Sequence, residues 1–419
     1  MSALPTRYAL SGATLVDPIG GARAGVDLLV EDGRIAAIEP TGRLSDAVPR
    51  IDASGRYVVP GMVDVHTHVS YRSVGSPYDF DLRRSLPEVT ADGLWNARVI
   101  LRAGFTSVRD CGSPPGVATA IKRAIDGGEA PGPAMQVAGQ VISGVGGLGD
   151  MHPSHLFADN SYATAMARLV KDPWDARNAL RRQAKDGVEW FKVTLSGTAA
   201  NPSVPAERDD LGGDLFEAIA EEALLLGIPI IAHAESAHGA ERAAATRATR
   251  TIEHGVHLTD RAIELMLEHD ITLVPTLAQY TTWAERGEEL GRSAASMRAH
   301  RRVHPSHLES VRRAVAAGVR VAVGGDAGGL HFPQGSAAQE LGVLREAIGM
   351  PPQDVLRAAT VHGARVLGRE DEIGRLEPGF TADLVVLSED PLARPEALAE
   401  PERFTAVVQR GIVVAGGLA

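Results

Sequence analysis

Pro60-Gly61-Met62-Val63-Asp64-Val65-His66-Thr67-His68 is the stretch on which the reading of this chain turns. Pro-Gly marks a turn and releases an apolar run that ends in two histidines one residue apart. Alternate side chains of a strand share a face, so His66 and His68 point the same way and Thr67 the other. Two imidazoles side by side at a strand's end can begin a divalent-metal site, and they can equally be ordinary polar residues. What decides is whether other strands bring further ligands to the same end.

Working outward, residues 61–370 alternate strand, loop and helix. Strands are predicted at 63–69, 105–110, 134–141, 189–195, 229–234, 250–254, 271–276 and 320–326. The best helix signal runs from Asp214 to Leu226, with Asp214 and Glu217 placed as a capping box and Gly227 as the stop. Thr259 to Asp270 and Ser306 to Ala317 each show one apolar face. Eight strands alternating with helices predict an α/β fold, a (β/α)8 TIM barrel. Two long stretches, 143–172 and 278–305, read as irregular loops covering the face where barrel active sites lie. Residues 1–60 and 371–419 read as short strands instead. Asp32-Gly33 between two apolar runs is a type I′ hairpin signal, and Arg410-Gly411 sits between two further runs. Neither end can bury much core alone, so both are expected to meet in a small β-sandwich domain built from discontinuous sequence.

The bulk numbers agree with that picture. The chain has 419 residues, 44% apolar and 23% charged, which suits a soluble protein with one large barrel and a smaller domain. A net charge of −11 argues against nucleic-acid binding, which wants a basic face. Cys111 is the single cysteine, so an internal disulfide and thiolate metal clusters are excluded. The first residues lack a signal-peptide pattern, and no apolar run approaches the ~20 residues needed to cross a bilayer. No membrane association is expected, and the location expected is cytoplasmic.

With a barrel in mind, further candidates fall at strand ends. Lys192 lies in the fourth strand, His233 ends the fifth, His254 the sixth and Asp326 the eighth. Each alone has an ordinary reading as a satisfied histidine or a helix cap, but convergence towards the catalytic end of the strands is hard to reach by chance. Lys192 is the most informative. An ammonium among Trp190, Phe191, Val193 and Leu195 is costly to bury and would be repelled by divalent cations; a snorkelling lysine at the rim is the ordinary alternative. A lysine condensed with carbon dioxide is an anion whose two oxygens can bridge two metals. Two 2+ ions facing that carbamate, the Asp326 carboxylate and a bridging hydroxide leave a net charge of about +1.

The chain resembles the amidohydrolase superfamily, and within it the prolidase-like and imidazolonepropionase-related metal-dependent hydrolases. The resemblance rests on the opening stretch, Phe191-Lys192-Val193, Ala232-His233-Ala234, Thr251-Ile252-Glu253-His254-Gly255 and Gly325-Asp326-Ala327-Gly328. It extends through Ala359-Thr360-Val361-His362-Gly363-Ala364 and Gly374-Arg375-Leu376-Glu377-Pro378-Gly379 into Ala382-Asp383-Leu384-Val385-Val386-Leu387. It implies a barrel with a β-sandwich and a centre of two divalent metal ions, usually zinc. His66, His68, Lys192, His233, His254 and Asp326 become the metal set, with Lys192 as a carbamate. It also implies a homo-oligomer.

Two departures stand out. Prolidase-like members carry Gly-Gly-His-Gly-Asp after the third strand, where this chain has Gly146-Gly147-Leu148-Gly149-Asp150; His152 or His155 is the candidate to act in place of the missing histidine. Deaminase-like members place a glutamate three residues after the fifth-strand histidine; here that place holds Ser236, and Glu235 comes one residue earlier. Gly144 to Gly149 formally matches G-x-G-x-x-G, but Pro153 follows where a dinucleotide site would open its helix.

The expected activity is therefore hydrolysis of the C–N bond of a small-molecule amide, such as an N-acyl amino acid or dipeptide, by a metal-bridged hydroxide with Asp326 as general base and then acid. Tyr71, His152 and Tyr280 are the candidate substrate contacts. A cyclic amide, a lactone or other ester, or a deamination is the alternative on the same centre. A metal-free assembly protein on the same fold is the third reading, against which the intact ligand set argues.

Overall fold

The structure is a computed structural model that describes residues 5–72, 82–157, 162–201, 203–329 and 332–418. Five strands open the chain: β1 (Arg7–Asp17), β2 (Gly21–Glu31), β3 (Arg34–Pro40), β4 (Arg50–Asp52) and β5 (Tyr57–Pro60). Nine follow: β6 (Met62–Thr67), β7 (Phe105–Asp110), β8 (Ala134–Val137), β9 (Val141–Gly144), β10 (Ala167–Val170), β11 (Phe191–Thr194), β12 (Ile230–Ala234), β13 (Thr249–His254) and β14 (Thr272–Val274). Three close it: β15 (Leu384–Leu387), β16 (Phe404–Gln409) and β17 (Ile412–Gly416).

Strands from both chain ends share one eight-stranded sheet in the order β17-β16-β15-β5-β1-β2-β3, with β4 added against β1. The join is β5, antiparallel to β15 and parallel to β1. Two of its hairpins turn on residue pairs with positive φ, Asp32 (49°) with Gly33 (79°) and Arg410 (47°) with Gly411 (75°), as type I′ turns demand. Tyr8, Leu10, Leu28, Val58, Leu384 and Val408 form its own apolar cluster.

The middle of the chain builds two parallel sheets, β10-β9-β11-β12-β13-β14 and β6-β7-β8. Every residue of β6, β7, β11 and β12 is buried, the pattern of parallel strands covered on both faces. The segment 320–327 runs between β14 and β6. It is held by Leu273 N–H to Arg320 O at 2.8 Å, Val65 N–H to Val323 O at 3.0 Å and Asp326 N–H to His66 O at 2.7 Å. It forms isolated bonds rather than a regular ladder because its own amides are diverted. Val323 N–H donates to Ala358 O at 3.0 Å, and Gly325 N–H donates to the buried Asp64 carboxylate at 3.2 Å. Gly324 is required here, since a Cβ at that position would lie 2.6 Å from His66 Cβ.

Several sequence expectations change. The strand expected at 134–141 is two strands in different sheets, because Gly139 takes a φ of +72° between them. The stretch 278–305 is helical rather than irregular, occupied by helices Leu277–Arg286 and Ala294–Ala316. The apolar face predicts a helix over Ser306 to Ala317, which would begin just after Pro305. The helix instead runs through it and begins at Ser293, whose hydroxyl accepts from Ser296 N–H at 3.2 Å. The stretch 143–172 contains the end of β9 and all of β10, and 158–161 lie outside the described residues. Asp214 and Glu217 form no capping box; helix Gly213–Leu226 starts from Gly212, and Asp214 Oδ1 accepts from Leu215 N–H. Gly227 ends that helix with a φ of 67°. Thr259 caps helix Asp260–Glu268 by accepting from Ala262 N–H. No helix among the described residues is long and apolar enough to cross a membrane.

Candidate metal centre

His66, His68, Lys192, His233, His254 and Asp326 line one cavity of about 150 Å³ at the ends of the parallel strands. His66, at the end of β6, His68, just beyond it, and Asp326 bring ligand atoms within 4.8 Å of one another. His68 Nε2 is 3.2 Å and His66 Nε2 3.4 Å from Asp326 Oδ1. Lys192 Nζ lies 3.3 Å from His66 Nε2. The His254 ring centroid lies 4.5 Å from that of His233 and 5.3 Å from that of His66.

The backbone aims these groups at some cost. His254 (φ 69°), Thr276 (φ 53°) and Asp326 (φ 49°) are non-glycine residues in the left-handed region; Thr276 is β-branched and least suited to it. Each turns the chain sharply where a strand or the closing segment ends.

One nitrogen of every histidine is already engaged. His66 Nδ1 is 2.5 Å from Glu253 Oε2, His68 Nδ1 is 3.1 Å from Gly112 O, and His254 Nδ1 is 2.7 Å from Thr276 Oγ1. His233 uses Nε2, 3.0 Å from Gly197 O. Such contacts fix ring orientation and leave the second nitrogen for a ligand bond. Burial, helped by the nearby Lys192, pushes His66 down to about 4 and His233 to about 3, and burial with neighbouring histidines holds His254 well below its usual value. Those three rings are therefore neutral at neutral pH, the form that binds metals. His68 is raised, because the Asp326 and Asp110 carboxylates outweigh its burial. Burial works against the Asp326 anion, but His66 and His68 outweigh it and hold the carboxyl at about 2.

Beneath these groups lies a layer that the sequence reading did not single out. Glu253, fully buried, accepts from Arg109 Nη2 at 3.1 Å and bonds the Thr251 hydroxyl. Arg109, also fully buried, donates through Nε to Val65 O at 2.7 Å, and its guanidinium lies 4.6 Å from the Trp190 ring centroid. Burial disfavours the Glu253 anion, yet Arg109 and His66 hold that carboxyl at about 2. Opposite charges in two buried strands, Arg109 in β7 and Glu253 in β13, were the available signal.

The candidate substrate contacts separate. Tyr71 lines the cavity, its ring 6.5 Å from that of His68. Tyr280 lines it as well, but its hydroxyl donates to Glu235 Oε1 at 2.5 Å. The buried His152 packs its ring against Phe157 and Tyr162 and is not part of the lining. His155 is exposed and is not part of the lining either. Leu148 is on the wall with Val141, Met151 and Met166. Its loop is fastened by Asp210, which accepts from Ser143 Oγ (2.8 Å), Thr194 Oγ1 (2.5 Å), Gly144 N–H (2.8 Å) and Leu148 N–H (2.9 Å). Ser236 caps helix Ala237–Ala244, accepting from Gly239 N–H at 2.9 Å.

Comparison with known proteins places these features in context. The model of the amidohydrolase family matches residues 57–414. Ochratoxinase of Aspergillus niger is 28% identical over 387 residues, covering 86% of this chain and 76% of that protein. Imidazolonepropionase of Micrococcus luteus is 26% identical over 406 residues, covering 89% and 90%. The solved structure of a prolidase complexed with N-methylphosphonate-L-proline has a TM-score of 0.88 and 28% identity, covering 98% of this chain and all of that one.

Proposed function

Because the chain belongs to the amidohydrolase family, a group of small-molecule hydrolases acting on C–N bonds, we propose that it hydrolyses the amide of an N-acyl amino acid or dipeptide. The observation that carries this reading is the six-residue cluster of four histidines, Lys192 and Asp326 around one cavity. The names of its relatives, ochratoxinase and prolidase, fit an amide substrate. The same reading takes the two parallel sheets with segment 320–327 as one (β/α)8 barrel, residues 61–370. It takes the terminal sheet as a β-sandwich of residues 1–60 and 371–419.

The residues present fit two divalent ions, zinc by preference for this nitrogen-rich set. His66, His233 and His254 are neutral, each of the four histidines is held through one nitrogen, and no carboxylate among the described residues forms an ion pair with the buried Lys192. His66, His68, His233, His254 and Asp326 would hold the ions, together with Lys192 as a carbamate. The chemistry such ions supply when bound is polarisation of the scissile carbonyl and acidification of water. The protein's own part is proton handling and placement. Asp326, held ionised, takes a proton from the attacking water as it adds to the carbonyl carbon. It returns that proton to the nitrogen as the C–N bond breaks. Glu253 and Gly112 O keep the His66 and His68 rings in register throughout.

Deamination is the weaker alternative, since Ser236 is spent as a helix cap. Hydrolysis of a cyclic amide draws support from the imidazolonepropionase relatives. A panel of N-acyl amino acids, dipeptides, cyclic amides and lactones, run with metal analysis of the purified protein, tests the proposal. Expected are bound divalent metal, turnover of linear amides, and a loss of at least about a thousandfold in Asp326→Asn, as for removal of a general base with electrostatic roles. Undiminished hydrolysis by a metal-free Asp326→Asn protein would overturn it.

A further inference from the structure

Helix Leu277–Arg286 lays one face along the cavity through Gln279, Tyr280 and Trp283. Tyr280 has already committed its hydroxyl to Glu235, but two other polar atoms on this face are left over. Gln279 is 1% exposed; its Nε2 donates to Asp326 O at 2.8 Å, whereas its Oε1 has no hydrogen-bond partner. Trp283 is 3% exposed and its Nε1 likewise has none. The two residues are four apart and so are neighbours on the helix surface. Buried donors and acceptors are nearly always paired, and one left unpaired costs free energy that a ligand atom can return.

Trp283 also has a cation against its ring. The Arg292 guanidinium lies 4.4 Å from the Trp283 ring centroid. Its Nη2 donates to Ala200 O at 3.2 Å and Ser296 Oγ at 2.6 Å, its Nε has no partner, and no described carboxylate forms an ion pair with it. Burial lowers it only to about 10, so it stays charged at neutral pH. Arg292 is half-buried, and a half-buried cation without a counter-charge favours an anion beside it. Val141, Leu148, Met151 and Met166 give the cavity an apolar stretch of wall.

We propose that Gln279 and Trp283 are specificity-determining residues, with Gln279 Oε1 accepting a substrate N–H and Trp283 Nε1 donating to a substrate carboxylate in the field of Arg292. The inference rests on the amide-hydrolase reading and assigns the residues that hold the free carboxylate of an N-acyl amino acid or dipeptide, with an apolar side group against the apolar wall.

Two variants isolate the effect. Trp283→Phe keeps a ring beside Arg292 and deletes the N–H, and Arg292→Met keeps the stem and deletes the charge. Isothermal titration of the metal-loaded proteins with 3-phenylpropionate and with uncharged 3-phenylpropan-1-ol reads the carboxylate preference without any bond to cleave. The unaltered enzyme is expected to favour the acid by about tenfold or more, the worth of a hydrogen bond to a charged group. Each variant loses most of that preference while its affinity for the alcohol stays within about twofold. In turnover, Trp283→Phe raises KM for N-acetyl-L-phenylalanine about tenfold with kcat little changed, and leaves the corresponding C-terminal N-methylamide unaffected. An unaltered enzyme without the preference, or variants that keep it, overturns the proposal. Should Trp283→Phe not fold, Arg292→Met makes the same comparison. Trp283-dependent binding without hydrolysis of any amide would sink the amide-hydrolase reading and leave this one standing; hydrolysis without Trp283 dependence does the reverse.

Discussion

Glu340 offers a test of how burial and helix capping compete. It is fully buried in helix Gln339–Val343 and accepts from Leu277 N–H at 2.9 Å and Ala278 N–H at 2.6 Å. These are the first amides of the helix that carries Gln279, Tyr280 and Trp283. Thr276 stands at the N-cap place, but its left-handed backbone and its bond to His254 leave the helix uncapped from within. Helix N-termini favour a negative charge, so intuition says that Glu340 stabilises as an anion. Burial says otherwise: it raises the carboxyl from the ordinary 4.5 to about 7, further than the two amides lower it. A folded-state pKa above the unfolded one means that the associated stability is fully present below about 4.5 and is lost as pH rises through about 7. The span from 4.5 to about 7, at about 1.36 kcal/mol per pH unit, is worth roughly 3 kcal/mol. Glu340→Gln never charges, although its amide nitrogen cannot accept and leaves one of the two N–H groups unpaired at every pH. The stability difference between the two proteins should therefore move by roughly 3 kcal/mol in the variant's favour between pH 5 and pH 8.5. Urea unfolding of both in the same buffers checks this, because every other titrating group cancels in the difference. A difference that stays flat with pH, or that grows in favour of the unaltered protein, refutes the reasoning; the second outcome would mean that the amides and helix end outweigh desolvation.

Three further outcomes are expected. Glu253→Gln, which loosens the hold on His66 Nδ1, should weaken metal affinity about 10- to 100-fold in competition with a chromophoric chelator. Asp210→Ala leaves Thr194, Ser143 and two amides of the Leu148 loop without their acceptor; it should cost at least about 2 kcal/mol in urea unfolding and raise KM. Dialysis against a chelator should abolish activity and lower the melting temperature. Readdition of divalent metal at about 100 times its Kd should restore about 2.7 kcal/mol of stability. A protein that melts identically with and without metal speaks against the centre.

The parts legible in the sequence were those that local rules control. Asp32-Gly33 needed only two residues able to take positive φ. His233, His254 and Asp326 stood out because each ends an apolar run, where nothing else explains a polar group. The parts that were hidden depend on partners distant in sequence. Helix Leu277–Arg286 carries no start signal of its own because Glu340 caps it from 62 and 63 residues away. That is why the region read as loop and why Gln279 and Trp283 were passed over. Helix Ala294–Ala316 runs through Pro305, a residue that local rules keep out of a helix's middle. Gly139 could have been read as a strand break, yet a glycine inside an apolar run gives no indication of which side will join which sheet. His152 attracted notice for its residue type alone, and its ring lies among Phe157 and Tyr162.

The placement of β5 bears on how the molecule is made. Its Val59 pairs with Val385, and nearby the Tyr8 hydroxyl donates to Gly411 O at 2.9 Å across 403 residues. On the ribosome, β1 to β5 emerge first, and one edge of β5 has no neighbour until β15 arrives. At about 5–20 residues per second, that wait is roughly 16–65 seconds. An unpaired strand edge is a template for other chains throughout that interval. β6, which carries His66, gains β7 on one side early, but its other edge waits for segment 320–327. A chain stalled before β15 therefore keeps an open edge on β5, and one stalled before residue 320 keeps a second on β6.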